Sequence, residues 1–112
     1  MKKIEAIIRP EKLEETKEAL NKFNINGITV SQVMGCGLQK GRKEFYRGTE
    51  VTLNLRPKIK VEIVANDSKV DEIIKIIADA SRTGEVGDGK IFVYDIGSVI
   101  RIRTGEKDDA AI

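Results

Sequence analysis

Two glycine-rich segments are the first places in this sequence where a ligand could bind. Gly35-Cys36-Gly37, with Gly41 nearby, follows one β-rich stretch, and Gly87-Asp88-Gly89-Lys90 precedes another. Glycines let backbone N–H groups approach a phosphate closely, and an adjacent lysine adds positive charge. Neither segment matches the complete Walker or dinucleotide fingerprint, and either one alone is more often an ordinary turn. The pattern therefore indicates a candidate anion site that needs support from elsewhere in the chain.

Arg101-Ile102-Arg103 supplies that support. We predict a short strand over 99–103, in which both arginines point to one face about 6–7 Å apart. Two guanidinium groups in this arrangement suit an oligophosphate or a carboxylate. The alternative is an exposed edge strand that carries solubilising charge. Together with Lys90 and the two glycine segments, the arginines favour an anionic ligand such as a nucleotide.

The segment from Leu38 to Arg56 shows no clear periodicity over most of its length. A loop of this size inside a small domain is usually functional or disordered. Phe45-Tyr46 lies among several basic residues, a composition typical of an interface anchor. The alternative is a long hairpin, because Val51, Leu53 and Leu55 alternate toward the next strand. Both interpretations hold together if an extended stem carries a partner-binding tip.

The chain has no histidine and a single cysteine, Cys36, among its 112 residues. This composition excludes an intrachain disulfide, a cysteine-cluster metal site and histidine-based catalysis. We expect Cys36 to be a buried structural thiol rather than a nucleophile, since no histidine can activate it. A net charge of +2 argues against binding nucleic acid or a membrane through the bulk field. The lack of a long apolar stretch or a signal peptide predicts a cytoplasmic protein.

The elements that would position these residues follow a repeated order in a single domain, 1–112. We predict strands over 3–9, 28–34, 58–65, 90–94 and 99–103. The first helix begins at Pro10, has Leu13, Leu20 and Phe23 on its apolar face, and ends before Asn26-Gly27. The second helix follows a capping box of Ser68 and Asp71 and has an apolar stripe from Val70 to Ala80. Two strand–helix–strand units indicate an α+β, ferredoxin-like double βαβ fold. Its antiparallel sheet would carry both helices on one face. The other face would be bare, so we expect a homo-oligomer.

Several segments in fixed order now identify a family. They are Lys2 to Pro10, Gln39-Lys40-Gly41, Tyr46-Arg47-Gly48, Pro57-Lys58, Arg82-Thr83-Gly84, Gly87 to Val93, and Val99 to Gly105. With these motifs the chain closely resembles the PII nitrogen-regulatory signal-transduction proteins over essentially its whole length. The resemblance implies a trimer of ferredoxin-like subunits with ATP/ADP sites in the clefts between them. It assigns 37–55 to the T-loop, 82–90 to a ligand loop and 104–112 to a C-terminal tail.

The resemblance also implies the ligand contacts. Those for ATP or ADP are Thr29, Gly35, Gly37, Leu38, Gln39, Val64, Gly87, Asp88, Gly89, Lys90, Arg101 and Arg103. Those for 2-oxoglutarate, which binds beside MgATP in the family, are Gly37, Gln39, Gly41, Lys58 and Gly87, with Gln39 also contacting the Mg²⁺. Phe45, Tyr46 and Arg47 would dock on partners, and Arg47 matches the arginine that enters an ammonium-transporter pore.

Four positions depart from the family pattern. Val51 stands where enterobacterial members carry the uridylylated tyrosine, so we expect no modification there and none on Tyr46 in its place. Thr49 stands at the serine phosphorylated in cyanobacterial members and is a weak candidate for modification. Leu38 replaces a residue that is often basic, and Cys36 replaces a phenylalanine. We expect nucleotide binding to persist with altered affinity or ATP/ADP preference.

The resulting hypothesis is a non-catalytic sensor of ATP, ADP and 2-oxoglutarate. Expected partners are an ammonium transporter first, then glutamine synthetase or nitrogenase, with membrane association only through a transporter and no membrane insertion. The alternative is a small ferredoxin-like enzyme with ATPase or phosphatase activity. An RNA-binding domain is disfavoured, because Phe92 and Tyr94 are the only aromatic residues of the strand over 90–94.

Overall fold

Two strand–helix–strand units follow one another along the chain. The structure is a computed structural model that describes residues 1–36, 43–46, 49–52 and 55–112. Its elements are β1 (Lys2–Ile8), α1 (Leu13–Lys22), β2 (Thr29–Gly35), β3 (Lys43–Tyr46), β4 (Thr49–Thr52), β5 (Arg56–Ala65), α2 (Val70–Ser81) and β6 (Lys90–Asp95), with short 3-10 turns at Pro10–Lys12, Asp67–Lys69 and Asp108–Ala111.

The junction of β1 and α1 is set by Pro10. Proline has no N–H to continue a strand ladder, but it suits the first position of a helical turn. The chain therefore leaves the sheet after Ile8 and forms the 3-10 turn Pro10–Lys12, which leads directly into α1. The buried Thr16 hydroxyl donates to the Lys12 carbonyl at 2.8 Å. The helical region therefore begins at Pro10 as predicted, but as a 3-10 turn, and the α-helix itself begins at Leu13.

Four strands form one antiparallel sheet in the order β2-β5-β1-β6. In register, Ile4 of β1 lies opposite Ile63 of β5 and Val93 of β6. Each helix connects two strands that are not neighbours, because one further strand lies between them. This is the α+β, ferredoxin-like arrangement, so the predicted fold class is confirmed.

Both helices pack on the same face of this sheet. Burial alternates along β1 and β5 because successive side chains point to opposite faces. Burying an isoleucine fully is worth about 1.5–3 kcal/mol relative to exposure, so this layer supplies much of the stability. The core consists of Ile4, Ala6, Ile8, Leu20, Ile59, Val61, Ile63, Ala65, Val70, Ile73, Ile76 and Ile77.

Two predictions about the helix ends are wrong. Phe23 is 51% exposed, because α1 ends at Lys22 and Asn24 adopts a left-handed φ of 63°. Ile25 packs against the core instead. The Ser68–Asp71 capping box is replaced by Asn66, whose side chain accepts from the Ser68 N–H at 3.0 Å and caps the 3-10 turn before α2.

The predicted strand over 99–103 is also wrong. Ile100 makes only an isolated bridge to Lys107, and the residues between them form a turn. The Gly105 N–H donates to the Arg101 carbonyl at 2.8 Å, and Gly105 has a φ of 72°. The exposed side chain of Asp108 accepts from the Val99 N–H at 3.2 Å. These local bonds take the backbone groups that a sheet partner would need.

Strands β3 and β4 form a separate two-stranded antiparallel sheet, with Lys43 opposite Thr52. The hairpin alternative for the long central segment is confirmed for these two strands. Among the helices of the described ranges, none combines the length and the apolar character that crossing a membrane requires.

Candidate functional site

The loop between α2 and β6 is organised around one carboxylate. Asp88 Oδ2 accepts from the N–H groups of Thr83 and Gly84, both at 2.8 Å. Its Oδ1 accepts from the Thr83 hydroxyl and, at 3.0 Å, from Arg9 Nε. The Thr83 hydroxyl first, then the backbone N–H groups and Arg9, hold the pKa of Asp88 well below its usual range, although burial opposes them. The Asp88 side chain thus shapes the loop from within.

Glycines bring this loop close to β1. Gly84, Gly87 and Gly89 have left-handed φ values of 88°, 105° and 98°, which residues with a Cβ rarely adopt. A Cβ on Gly89 would lie 1.7 Å from the Ile7 carbonyl oxygen. The close backbone approach that the glycines suggested is therefore present at Gly89, where it joins the loop to its own sheet.

Lys58 reaches this loop from β5. Its Nζ donates to the Gly87 carbonyl at 2.5 Å. Gly35, near it on β2, leaves room for the lysine stem, since a Cβ there would meet Lys58 Cγ at 3.3 Å. Burial first, and then the charge of Arg9, lower the pKa of Lys58, and Arg56 acts in the same direction. Gly35, Lys58 and residues 87–90 are called the loop half-site below.

Arg9 also belongs to this site, although it was not predicted as a site residue. Besides its bond to Asp88, its Nη2 donates to the Val86 carbonyl at 2.9 Å. Both partners lie more than seventy residues along the chain. The only local signal is a basic residue directly before the proline that ends β1. Arg9, Arg56 and Lys58 together give the loop half-site a positive field.

Thr29 and Val64 lie elsewhere, in the lining of a cavity of about 820 Å³ that also includes Lys3, Asn26, Val99 and Asp109. The register of the sheet separates this cavity from the loop half-site. Thr29 lies opposite Glu62, whereas Lys58 lies opposite Val33. Val64 is therefore six residues from Lys58 on β5, or about 20 Å at ~3.3 Å per residue. The term strand half-site is used below for Thr29 and Val64, together with Arg101 and Arg103, which are predicted to belong to it.

The two arginines do not share a strand face. Arg101 Nη1 bonds Glu106 Oε1 at 3.1 Å within the turn, Arg103 is exposed, and Ile102 between them is fully exposed. In the part of the chain that the structure describes, the partners of Asp88 are Arg9, Thr83 and Gly84, and neither Arg101 nor Arg103 is among them. The predicted constellation is thus divided within one chain, with Lys90 in the loop half-site and the arginines in the turn.

Several predicted site residues fall in the central segment. Gly37, Leu38, Gln39, Gly41 and Arg47 lie outside the described residues. Phe45 and Tyr46 belong to β3, and Thr49 and Val51 to β4.

Cys36, predicted to be buried, is exposed. It lies one residue beyond the end of the edge strand β2, where solvent reaches it. Across the described ranges, no group of three or more acidic or cysteine side chains could hold a metal ion.

Comparison with known proteins gives one consistent result. The family model described as "Nitrogen regulatory protein P-II" matches residues 1–106. The chain is 54% identical over 112 residues, the whole of both proteins, to "Nitrogen regulatory protein P-II" of Klebsiella oxytoca and of Pasteurella multocida. It is equally similar to "Nitrogen regulatory protein P-II 1" of Escherichia coli K12. With the fold described above, this shows that the chain belongs to the P-II family of nitrogen regulatory proteins.

Proposed function

We propose that this protein is a non-catalytic sensor that binds ATP or ADP, Mg²⁺ and 2-oxoglutarate. It acts as a homotrimer and regulates partner proteins through segment 37–55, the T-loop. An ammonium transporter is the first candidate partner, followed by glutamine synthetase and nitrogenase. The protein works in the cytoplasm and reaches the membrane through the transporter. The observation that carries the proposal is the positively charged, preorganised loop half-site, which favours a polyanionic ligand.

Electrostatics and backbone geometry support phosphate binding there. Arg9, Arg56, Lys58 and Lys90 place several cations around residues 87–90, and charge-assisted bonds to phosphate are strong. The Asp88 hydrogen bonds hold the loop in shape before any ligand arrives, which reduces the ordering cost of binding. The carboxylate is neutralised by its own donors, so it opposes an incoming anion less than a free aspartate would.

The separation of the two half-sites supports a nucleotide site shared between copies. About 20 Å of β5 lies between Val64 and Lys58, estimated from the strand rise. The loop half-site of one chain would therefore contact only one end of an extended nucleotide. A second copy can present its strand half-site to the loop half-site of the first. Ile102 is fully exposed and Ile100 is 59% exposed beside Arg101, a composition typical of a surface that a partner covers.

The same site suggests how 2-oxoglutarate would act. Lys58 is the cation for its carboxylate, and its ammonium has three donors, so two remain beside the one that bonds the Gly87 carbonyl. Gln39 would be the protein contact for Mg²⁺, and the ion would add positive charge beside the two anionic ligands. Gly35 and Arg56, opposite each other in register, are the two ends of the segment that contains the T-loop. A ligand at Lys58 therefore lies at the base of that segment and can shift it by binding its conformers unequally.

Calorimetry with ATP tests the nucleotide site. Lys90→Ala combined with Arg101→Ala should abolish ATP binding, because one cation is lost from each half-site, while Lys75→Ala on the outer face of α2 should leave it unchanged. An unchanged affinity in the double variant would remove the assignment. Light scattering should give the mass of a trimer. Turnover of ATP at enzymatic rates would favour the ATPase alternative.

Partner docking needs a separate test. Pull-downs with ATP plus 2-oxoglutarate and with ADP should recover different amounts of the target. Equal recovery under both conditions would contradict ligand-gated docking.

A further inference from the structure

The segment 101–109 carries three carboxylates among three cations. The acidic residues are Glu106, Asp108 and Asp109, and the basic residues are Arg101, Arg103 and Lys107. Two of the carboxylates hold the fold together: Asp108 accepts from the Val99 N–H and Asp109 accepts from the side-chain amide of Asn66, both at 3.2 Å. The third carboxylate, that of Glu106, pairs with an arginine of the same segment.

The backbone of this turn holds Arg101 independently of its side chain. The Arg101 N–H donates to the Glu106 carbonyl at 2.9 Å, and the Arg101 carbonyl accepts from the Gly105 N–H at 2.8 Å. The side chains meet through Arg101 Nη1 and Glu106 Oε1, which lie 3.1 Å apart. The charge on Glu106 can therefore be removed without removing the backbone bonds that form the turn.

This ion pair differs from the pair of Arg9 and Asp88 in the loop half-site. Asp88 accepts from further donors besides Arg9, and the side chains of Arg9 and Asp88 are 20% and 24% exposed. Those of Arg101 and Glu106 are 38% and 43% exposed. Exposed ion pairs contribute little to stability. The pair of Arg101 and Glu106 is thus accessible to a ligand and costs little to rearrange.

The turn borders the strand half-site. Val99 and Asp109, on either side of the turn, line the same cavity as Thr29 and Val64. Arg101 follows Val99 by two residues, so the ion pair lies within a few residues of this lining. A nucleotide held by the strand half-site would therefore meet Arg101 together with its carboxylate partner.

We propose that Glu106 lowers the affinity of the nucleotide site because its carboxylate competes with a phosphate group for Arg101. A guanidinium group has five donors, so a phosphate can bind Arg101 beside Glu106 or in its place. In the first arrangement the phosphate lies next to a group of like charge, and in the second the existing ion pair is lost. Both arrangements weaken binding. The inference rests on the proposed nucleotide site and adds a residue that sets its affinity.

Two substitutions at one position separate the charge of Glu106 from its contacts. Glu106→Gln keeps the length of the side chain and an oxygen that can accept from Arg101, but it removes the negative charge. Glu106→Asp keeps the charge and shortens the side chain by one methylene. Glu18→Gln makes the first charge change at an exposed position of α1, outside both half-sites, and serves as the control. Calorimetry with ATP measures affinity, and circular dichroism measures folding.

We expect Glu106→Gln to bind ATP about three- to tenfold more tightly than the wild type, because one nearby like charge is removed. Glu106→Asp should fall between these two proteins, and Glu18→Gln should stay within twofold of the wild type. A gain in affinity distinguishes competition from a supporting role, since the loss of a supporting contact would weaken binding. Weaker or unchanged binding by Glu106→Gln, or an equal gain in Glu18→Gln, would overturn the proposal.

The wild-type titration distinguishes this inference from the proposed function. A wild type that binds no ATP would refute the sensor, and Glu106 would then have no nucleotide with which to compete. A wild type that binds ATP, together with a folded Glu106→Gln variant of the same affinity, would overturn the role of Glu106 and leave the nucleotide site assigned.

Discussion

Replacing Gly89 with alanine should destabilise the protein far more than the same change at other loop glycines. A Cβ there would lie 1.7 Å from the Ile7 carbonyl oxygen, so the backbone of the loop or of β1 must move by more than 1 Å. The left-handed φ of 98° adds about 1–2 kcal/mol for any residue with a Cβ, and overpacking adds about 1–3 kcal/mol. We expect a loss of roughly 2–5 kcal/mol in the free energy of unfolding.

Urea unfolding followed by circular dichroism, at one protein concentration, measures this loss. Two matched controls separate its causes. Gly84→Ala shares the left-handed φ, at 88°, but has open space around the Cβ, so it should cost only about 1–2 kcal/mol. Gly97→Ala has open space and no left-handed φ, so its effect should be within about 0.5 kcal/mol. If Gly89→Ala cost no more than Gly84→Ala, the close approach to β1 would not constrain the loop.

Three further predictions concern the loop half-site and the core. Asp88 has a lowered pKa in the folded protein, so its stabilisation should be complete at neutral pH and lost as the pH falls below about 4. Asp88→Asn should therefore lower the urea midpoint at pH 7. It should also make the urea midpoints at pH 7 and pH 3 differ less than they do in the wild type, and an equal difference in both proteins would contradict this. Lys58→Met should weaken 2-oxoglutarate binding in the presence of MgATP at least tenfold in calorimetry and weaken ATP binding by a clearly smaller factor, because three other cations remain around the phosphates. Equal losses for the two ligands would contradict the assigned role. Ile77→Ala, at a fully buried position, should cost about 2–5 kcal/mol in urea unfolding, and a loss below 1 kcal/mol would show that the core collapses around it.

Most of the fold could be predicted because its signals are local. Ile59, Val61 and Ile63 alternate, and each is buried on the helix side of β5. The stripe that begins at Val70 likewise predicted α2, since helical spacing brings its apolar residues to one face. These patterns depend only on the period of the backbone, so the sequence alone reveals them.

The prediction of a terminal strand over 99–103 was wrong because it also relied on a local pattern alone. Ile100, Arg101, Ile102 and Arg103 alternate as in a strand, but the turn around Gly105 and the Asp108 side chain satisfy the backbone groups locally. Alternation cannot distinguish a strand from a short hairpin end when no sheet partner is known. The competing bonds involve residues beyond the alternating segment.

The site was predicted less completely than the fold, because its contacts are long-range. Lys90 and the glycines were found from composition, but the pairing of Arg9 with Asp88 spans most of the chain. Asp88 is predicted as a ligand contact, and the structure adds that its side chain holds the loop in shape. No spacing rule connects a residue before Pro10 with a loop beyond the second helix.

The pairing of Gly35 with Arg56 has a consequence for how this protein could diversify. These residues end β2 and begin β5 side by side, so the intervening chain leaves and returns at a single point, about 5 Å across. Doubling the length of such an insertion adds only about 0.6 kcal/mol of closure entropy. The sheet can therefore accept segments of different length or sequence between Gly35 and Arg56. Exchange of this segment between relatives should transfer partner choice while the fold and the loop half-site stay intact.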